Sequence, residues 1–214
     1  MNRLARPLLP LFELPPPRQR DWLAQRLARP APASAKGLSD GFRLPGREGR
    51  STPAAVLVPL VNRPEGLTLL LTQRSAALPD HPGQISFPGG RVDPEDASHV
   101  AAALREAQEE VGLPPERVTV LGHLPTYETV TGFSVTPVVG WIEPPFSVVP
   151  DPVEVADVFE VPLAFLLEPR HQQRHFRMLG ELRRDYFAIP YADRYIWGAT
   201  AAMIVILDRT LRDD

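Results

Sequence analysis

Between residues 54 and 72 apolar side chains come in two short runs, Ala55–Val61 and Leu67–Thr72, separated by the polar stretch Asn62-Arg63-Pro64-Glu65-Gly66. Runs of this length, rich in Val and Leu and divided by Pro and Gly, predict two strands joined by a turn. The rhythm then changes to helical spacing. At about 100° per residue, Val100, Leu104, Ala107 and Val111 fall within roughly 60° of one another, while Glu106, Glu109 and Glu110 gather on the opposite side. The spacing predicts a helix with one core face and one acidic face, with Asp96 or Ser98 placed to cap its start and Gly112 followed by Pro114 placed to stop it. Beyond it, β-branched content predicts strands over Val118–Leu121, Ser134–Ile142 and Val158–Leu163, then a short helix at Ala164–Leu167. Arg183–Pro190 reads as a further strand and Ile196–Leu207 as an apolar helix. Residues 1–50 differ in character, being rich in Pro and Arg with one helical stretch at Asp21–Ala28. They read as an arm packed on a domain spanning 51–214, an α+β arrangement with a mixed sheet between helices.

Composition narrows the classes of function. The chain has 214 residues, 43% of them hydrophobic, enough for a substantial core. Its 23 basic and 26 acidic residues give a formal charge of −3, which disfavours a nucleic acid partner. The absence of cysteine removes disulfides, thiolate metal sites and a cysteine nucleophile together. Pro7, Pro10 and Pro15 to Pro17 interrupt the segment after Arg3 and Arg6, against a signal peptide, and no apolar run approaches the roughly 20 residues that span a bilayer. The expectation is a cytoplasmic protein, monomer or homodimer, with no membrane partner. None of the five histidines has zinc-ligand spacing.

The acidic helix carries the chemistry. Glutamates at i, i+3 and i+4 repel one another by about 0.2–0.5 kcal/mol per pair on a bare helix, and their convergence invites a cation. Just upstream, Gly89-Gly90 permits a close backbone approach to a ligand. The stretch Gly90 to Leu113 resembles the signature of the Nudix family, with Arg105-Glu106-Ala107-Gln108-Glu109-Glu110-Val111-Gly112-Leu113 matching the whole helical half. In the loop half the acidic residue is Asp96 rather than Glu, and eight residues rather than seven separate it from Arg105. Upstream, Leu70-Leu71-Thr72-Gln73-Arg74-Ser75 followed by Gly83-Gln84-Ile85-Ser86-Phe87-Pro88-Gly89-Gly90 resembles the additional motif of the coenzyme A diphosphatase subgroup. The second basic residue common in that motif is missing after Ser75, which leaves Arg74 and Arg91 as the nearest candidates for phosphate contacts.

The resemblance covers roughly Thr52 to Leu207 and implies the Nudix α/β/α sandwich. It also implies an Mg²⁺- or Mn²⁺-dependent hydrolase, in keeping with the preference of hard cations for oxygen ligands. The implied substrate is coenzyme A or a derivative; NADH, ADP-ribose or another nucleoside diphosphate derivative is the alternative, and a non-catalytic nucleotide-binding regulator is disfavoured by the intact glutamates. On this resemblance Glu106, Glu109 and Glu110 hold the metal, with the Gly89 carbonyl as a further ligand. Arg105 orients a carboxylate, Glu109 or Asp96. Glu154, before a late strand, is a candidate fourth ligand or general base. Arg74, His81, Gln84 and Arg91 are candidate substrate contacts, Arg74 toward the 3′-phosphate of coenzyme A. Tyr127 and Thr131, in the Gly132-containing loop, are candidate walls of the pocket.

Overall fold

The computed structural model describes residues 9–40, 51–179 and 182–212. Strands β1 (Thr52–Arg63) and β2 (Gly66–Arg74) form the expected hairpin, paired Arg63↔Gly66 to Leu60↔Leu69. Beyond that point they separate. The chain from Ile85 to Arg91 fills the wedge, β3 (Ile85–Ser86) pairing with β2 and β4 (Gly89–Arg91) with β1. Pro59 sits within β1 where the two neighbours part. The Leu57 amide faces this side, donating to the Pro88 carbonyl at 2.8 Å, so position 59 would aim its amide into the gap, where proline's missing donor costs no ladder bond.

The other edge of β1 pairs in parallel with β7 (Phe133–Ile142) along ten residues. Antiparallel β5 (Val118–His123) and the short β6 (Tyr127–Glu128) flank β7, and β8 (Val155–Pro162) flanks β2. Helix α1 (Pro16–Leu27) precedes the sheet and α2 (His99–Val111) lies on one of its faces. A short α3 (Leu163–Leu166) leads to a second, antiparallel sheet of β9 (Gln173–Leu179), β10 (Leu182–Tyr191) and β11 (Arg194–Trp197), and α4 (Gly198–Arg212) closes the described chain. The alternating faces of β1 separate two cores. Ala55, Leu57 and Val61 pack with Ala103, Ala107 and Val111 of α2, whereas Ala54, Val58 and Leu60 pack with Leu23 of α1 and Ile204 and Leu207 of α4. A mixed sheet therefore lies between helices, as expected.

Several boundaries moved for physical reasons. Helix α1 begins at Pro16 rather than near Asp21, because prolines in a first turn lack only amides that a helix leaves unbonded anyway. The apolar stretch Ile196–Leu207 is not one helix: Ile196 and Trp197 complete β11, and Gly198 turns the chain at φ 65°. Nearly every residue of α4 is buried, so it shows no amphipathic period to mark where it starts. Strand β9 was not expected, since its polar sequence Gln173-Arg174-His175 lies on a sheet that is solvated on much of its surface. No described helix is long and apolar enough to cross a membrane.

Candidate active site

Helix α2 is capped by Ser98, whose Oγ accepts the Ala101 amide at 3.2 Å, and is stopped by Gly112 in the left-handed conformation. Asp96 is thereby released from capping. Its two oxygens accept from Arg105 Nε (3.1 Å) and Nη2 (2.9 Å), a fork-to-fork pair. The same guanidinium donates from Nη1 to Glu106 Oε1 (3.0 Å) and Glu109 Oε2 (2.9 Å), and from Nη2 to the Arg91 carbonyl (3.1 Å). Of the two carboxylates expected for Arg105, it holds both, and Glu106 as well. These bonds raise the arginine pKa and hold Asp96 below the usual carboxylate range. Asp93, 3.5 Å from Arg105 Nη2, also joins this network. It escaped the sequence reading because an irregular loop offers no period to align it with the helix.

The three glutamates share a helix but not an environment. Glu109 is largely exposed, with 59% of its side chain accessible, against 16% for Glu106 and 4% for Glu110. Glu106 lies over Gly90, where a Cβ would come within 2.5 Å of Oε1. Glu110 turns inward and accepts the Gly89 amide at 3.3 Å. A Cβ at Gly89 would strike the Ala55 carbonyl and the Val56 Cα, so this pair of glycines is fixed by contact with β1 below and with carboxylates above. Burial raises the pKa of Glu106 despite Arg105. Burial pushes Glu110 further, to about 8, with Glu106 and Glu154 adding repulsion that the Gly89 amide and Arg74 only partly offset.

Glu154 joins this group through its loop. The Asp151 amide donates to the Glu110 carbonyl (2.9 Å) and the Val149 amide to that of Val111 (2.8 Å), which pins residues 149–151 to the end of α2. The Ser75 amide donates to the Glu154 carbonyl at 2.7 Å, placing that residue between α2 and β2. Its exposed side chain contributes negative potential at both Glu106 and Glu110. Arg74 lies opposite, Nη1 3.9 Å from Glu110 Oε1, and its Nε is buried with no partner.

The remaining candidates divide. Gln84 accepts the Arg74 amide on its carbonyl at 2.9 Å and closes a turn on exposed His81, which holds φ 56°. Arg91 projects from the other face of β4, 5.7 Å from the centre of the Phe133 ring. Thr131 bonds Thr129 within the turn before β7 (3.0 Å). Tyr127 turns inward: it is 3% exposed, and its hydroxyl donates to Asp40 Oδ1 at 3.0 Å. Asp40 also accepts from Arg184 Nη2 (2.9 Å) and the Val130 amide (2.6 Å). Burial and the Asp40 charge raise the Tyr127 pKa, which suits a hydroxyl that serves only as a donor.

Among the described residues no group of three or more His, Asp or Glu side chains is preassembled in metal-ligating geometry. Glu106 and Glu109 are engaged by Arg105 and Glu110 by the Gly89 amide. The donor set nonetheless suits a hard cation. Glu110 is a buried carboxylate whose nearest cation stands 3.9 Å away, and two further carboxylates deepen its negative potential. An ion that keeps several waters and takes phosphate oxygens needs only a few protein ligands.

Residues 51–182 match the model of the NUDIX domain. Over 152 residues the chain is 52% identical to a protein of Cronobacter sakazakii named Uncharacterized Nudix hydrolase NudL, covering 71% of this chain and 78% of that one. It is 49% identical to the protein of the same name from Escherichia coli K12, with the same coverage. Among solved structures, a C. elegans Ap4A hydrolase in a binary complex is 27% identical, covers 52% of this chain and 80% of that chain, and aligns with a TM-score of 0.45. With its Gly89-Gly90 strand, its acidic α2 and this match over most of its length, the chain belongs to the Nudix hydrolase family.

Proposed function

We propose that the chain hydrolyses the diphosphate bond of coenzyme A or a derivative with Mg²⁺ or Mn²⁺, giving 4′-phosphopantetheine, or its acyl form, and adenosine 3′,5′-bisphosphate. The observation that carries the reading is the buried Glu110 beside Glu106 and the Gly89-Gly90 backbone, a compact negative site bordered by one arginine from β2. Glu106, Glu109, Glu110 and the Gly89 carbonyl would hold the cation. When bound, it would offset the charge of the diphosphate and lower the pKa of a coordinated water.

The chain's own groups then do separable work. Arg105 fixes the rotamers of Glu106 and Glu109, so the carboxylates are oriented before substrate arrives. Arg74 presents a guanidinium, its buried Nε without a partner, at the edge where a diphosphate oxygen would lie. Glu154, exposed and close enough to act on both glutamates, is placed to accept a proton from the attacking water. The coenzyme A assignment is supported by the segment Leu70–Ser75 and Gly83–Gly90, which folds as the end of β2, β3 and β4 around that same arginine. A panel of coenzyme A, NADH, ADP-ribose and nucleoside triphosphates, incubated with purified protein and Mg²⁺ and resolved by chromatography, tests it. Coenzyme A is expected to have the highest kcat/KM; preference for NADH or ADP-ribose would retain the diphosphatase and discard this substrate.

A further inference from the structure

A cavity of about 470 Å³ opens at the β5 edge of the main sheet, away from the carboxylates of α2. Its walls are the end of α1, the segment from Arg29 to Lys36, the end of β5 with the residues after it, and the last turn of α4. The floor is apolar, with Leu27 and Leu124 buried. Among the described residues the rim is basic: Arg29, Lys36 and His123 line the cavity and no acidic residue does, in a chain whose formal charge is −3.

Two helices end here, and helix C-termini attract cations. At the end of α4 that need is met by Arg26, whose Nε donates to the Leu211 carbonyl at 2.8 Å. Lys36 makes no ion pair with any described residue, and His123 engages only Nδ1, 3.4 Å from the Leu124 carbonyl. Beneath the rim, Thr210 is 4% exposed and its Oγ1 has no hydrogen-bond partner. Native structures seldom leave such a group unsatisfied, and Thr210 itself lines the cavity. The wall facing it is preformed: proline fixes the backbone at Pro30 and Pro32, and Arg209 Nη1 holds the Ser34 carbonyl at 2.6 Å.

We propose that this cavity is a second binding site, for a small phosphorylated molecule about the size of a mononucleotide. Its volume falls within the range of small-molecule sites and exceeds what an inorganic anion fills. Leu27 and Leu124 take the uncharged body, while Lys36 and His123 take the phosphate and Thr210 donates to it.

Adenosine 5′-monophosphate serves as the probe, titrated calorimetrically into the full chain with EDTA present, so that the bare carboxylates of α2 repel it. One-site binding is expected. Lys36→Glu combined with His123→Gln should weaken it at least about tenfold, and Thr210→Val about fivefold, as lost charge-assisted and neutral hydrogen bonds imply. Adenosine should bind at least about tenfold more weakly, and turnover without the probe should stay within about twofold of wild type in all variants. Because Thr210→Val removes an unbonded hydroxyl, its fold should be no less stable. Absence of binding up to about 10 mM, equal affinity for adenosine, or binding indifferent to these substitutions would overturn the second site. A parallel loss of turnover in the rim variant would do the same, by placing the anion in the catalytic cleft.

Discussion

Replacing Glu110 by Gln should stabilise the metal-free fold while removing turnover, a combination that separates a functional carboxylate from a structural one. Burial lifts this carboxyl from an ordinary 4.5 to about 8. Because the folded value lies above the unfolded one, stability from this group is fully present below about 4.5 and is lost as pH rises through about 8. At 1.36 kcal/mol per pH unit, the cost at pH 7.5 is at most about 4 kcal/mol. Glutamine keeps an acceptor for the Gly89 amide, and the attraction of Arg74 at 3.9 Å is already netted in the value of about 8. A net gain of about 1–3 kcal/mol remains, or roughly 2–12 °C in Tm for a chain of this size. Thermal unfolding in EDTA at about pH 5, 7 and 8.5 should show the two proteins converging at the acid end and separating at the alkaline end. Adding Mg²⁺ should then raise the wild-type Tm more than that of the variant, since only a ligand bound to the folded state stabilises it. Turnover should fall at least about 100-fold, the scale of losing several kcal/mol of charge stabilisation. A variant no more stable than wild type at pH 8.5, or a gap that ignores pH, would refute the placement of an uncompensated charge at Glu110.

Three further substitutions examine the surroundings. Gly90→Ala brings a Cβ within 2.5 Å of Glu106 Oε1; the flexible carboxylate should move aside, leaving the fold intact and lowering kcat at least about tenfold, measured by steady-state kinetics. Arg105→Lys keeps the charge but gives up the forked pair with Asp96 and the simultaneous grip on Glu106 and Glu109, so kcat should drop about 10–100-fold with little change in KM; wild-type kcat would show that the orientation of these glutamates does not depend on the fork. Arg74→Ala should reduce kcat/KM for coenzyme A and dephospho-coenzyme A by the same factor, about 10–100-fold, because the guanidinium stands beside Glu110; a loss confined to coenzyme A would return it to the 3′-phosphate.

That last comparison shows where sequence and structure part. The motif around Arg74 pointed to the 3′-phosphate of coenzyme A, whereas its place beside Glu110 favours a diphosphate oxygen. That place depends on β2 carrying residue 74 to the wedge opposite α2, a consequence of long-range pairing. Tyr127 is the plainer case: an aromatic residue in a Gly-containing loop has the composition of a pocket wall, yet Asp40, 87 positions earlier, takes its hydroxyl.

The helix and its acidic face were legible in advance because helical periodicity is local, repeating every few residues whatever the rest of the chain does. The glycine pair and the strand-turn-strand of β1 and β2 were legible for the same reason. What the sequence left equal, the fold made unequal. Glu106, Glu109 and Glu110 read as one set, but deep burial and the bond from the Gly89 amide single out Glu110, while Glu109 stays in solvent. Spacing along a helix sets which way side chains point, whereas desolvation and partners are set by residues remote in sequence; the tertiary structure alone therefore decided which carboxylate carries the perturbed charge.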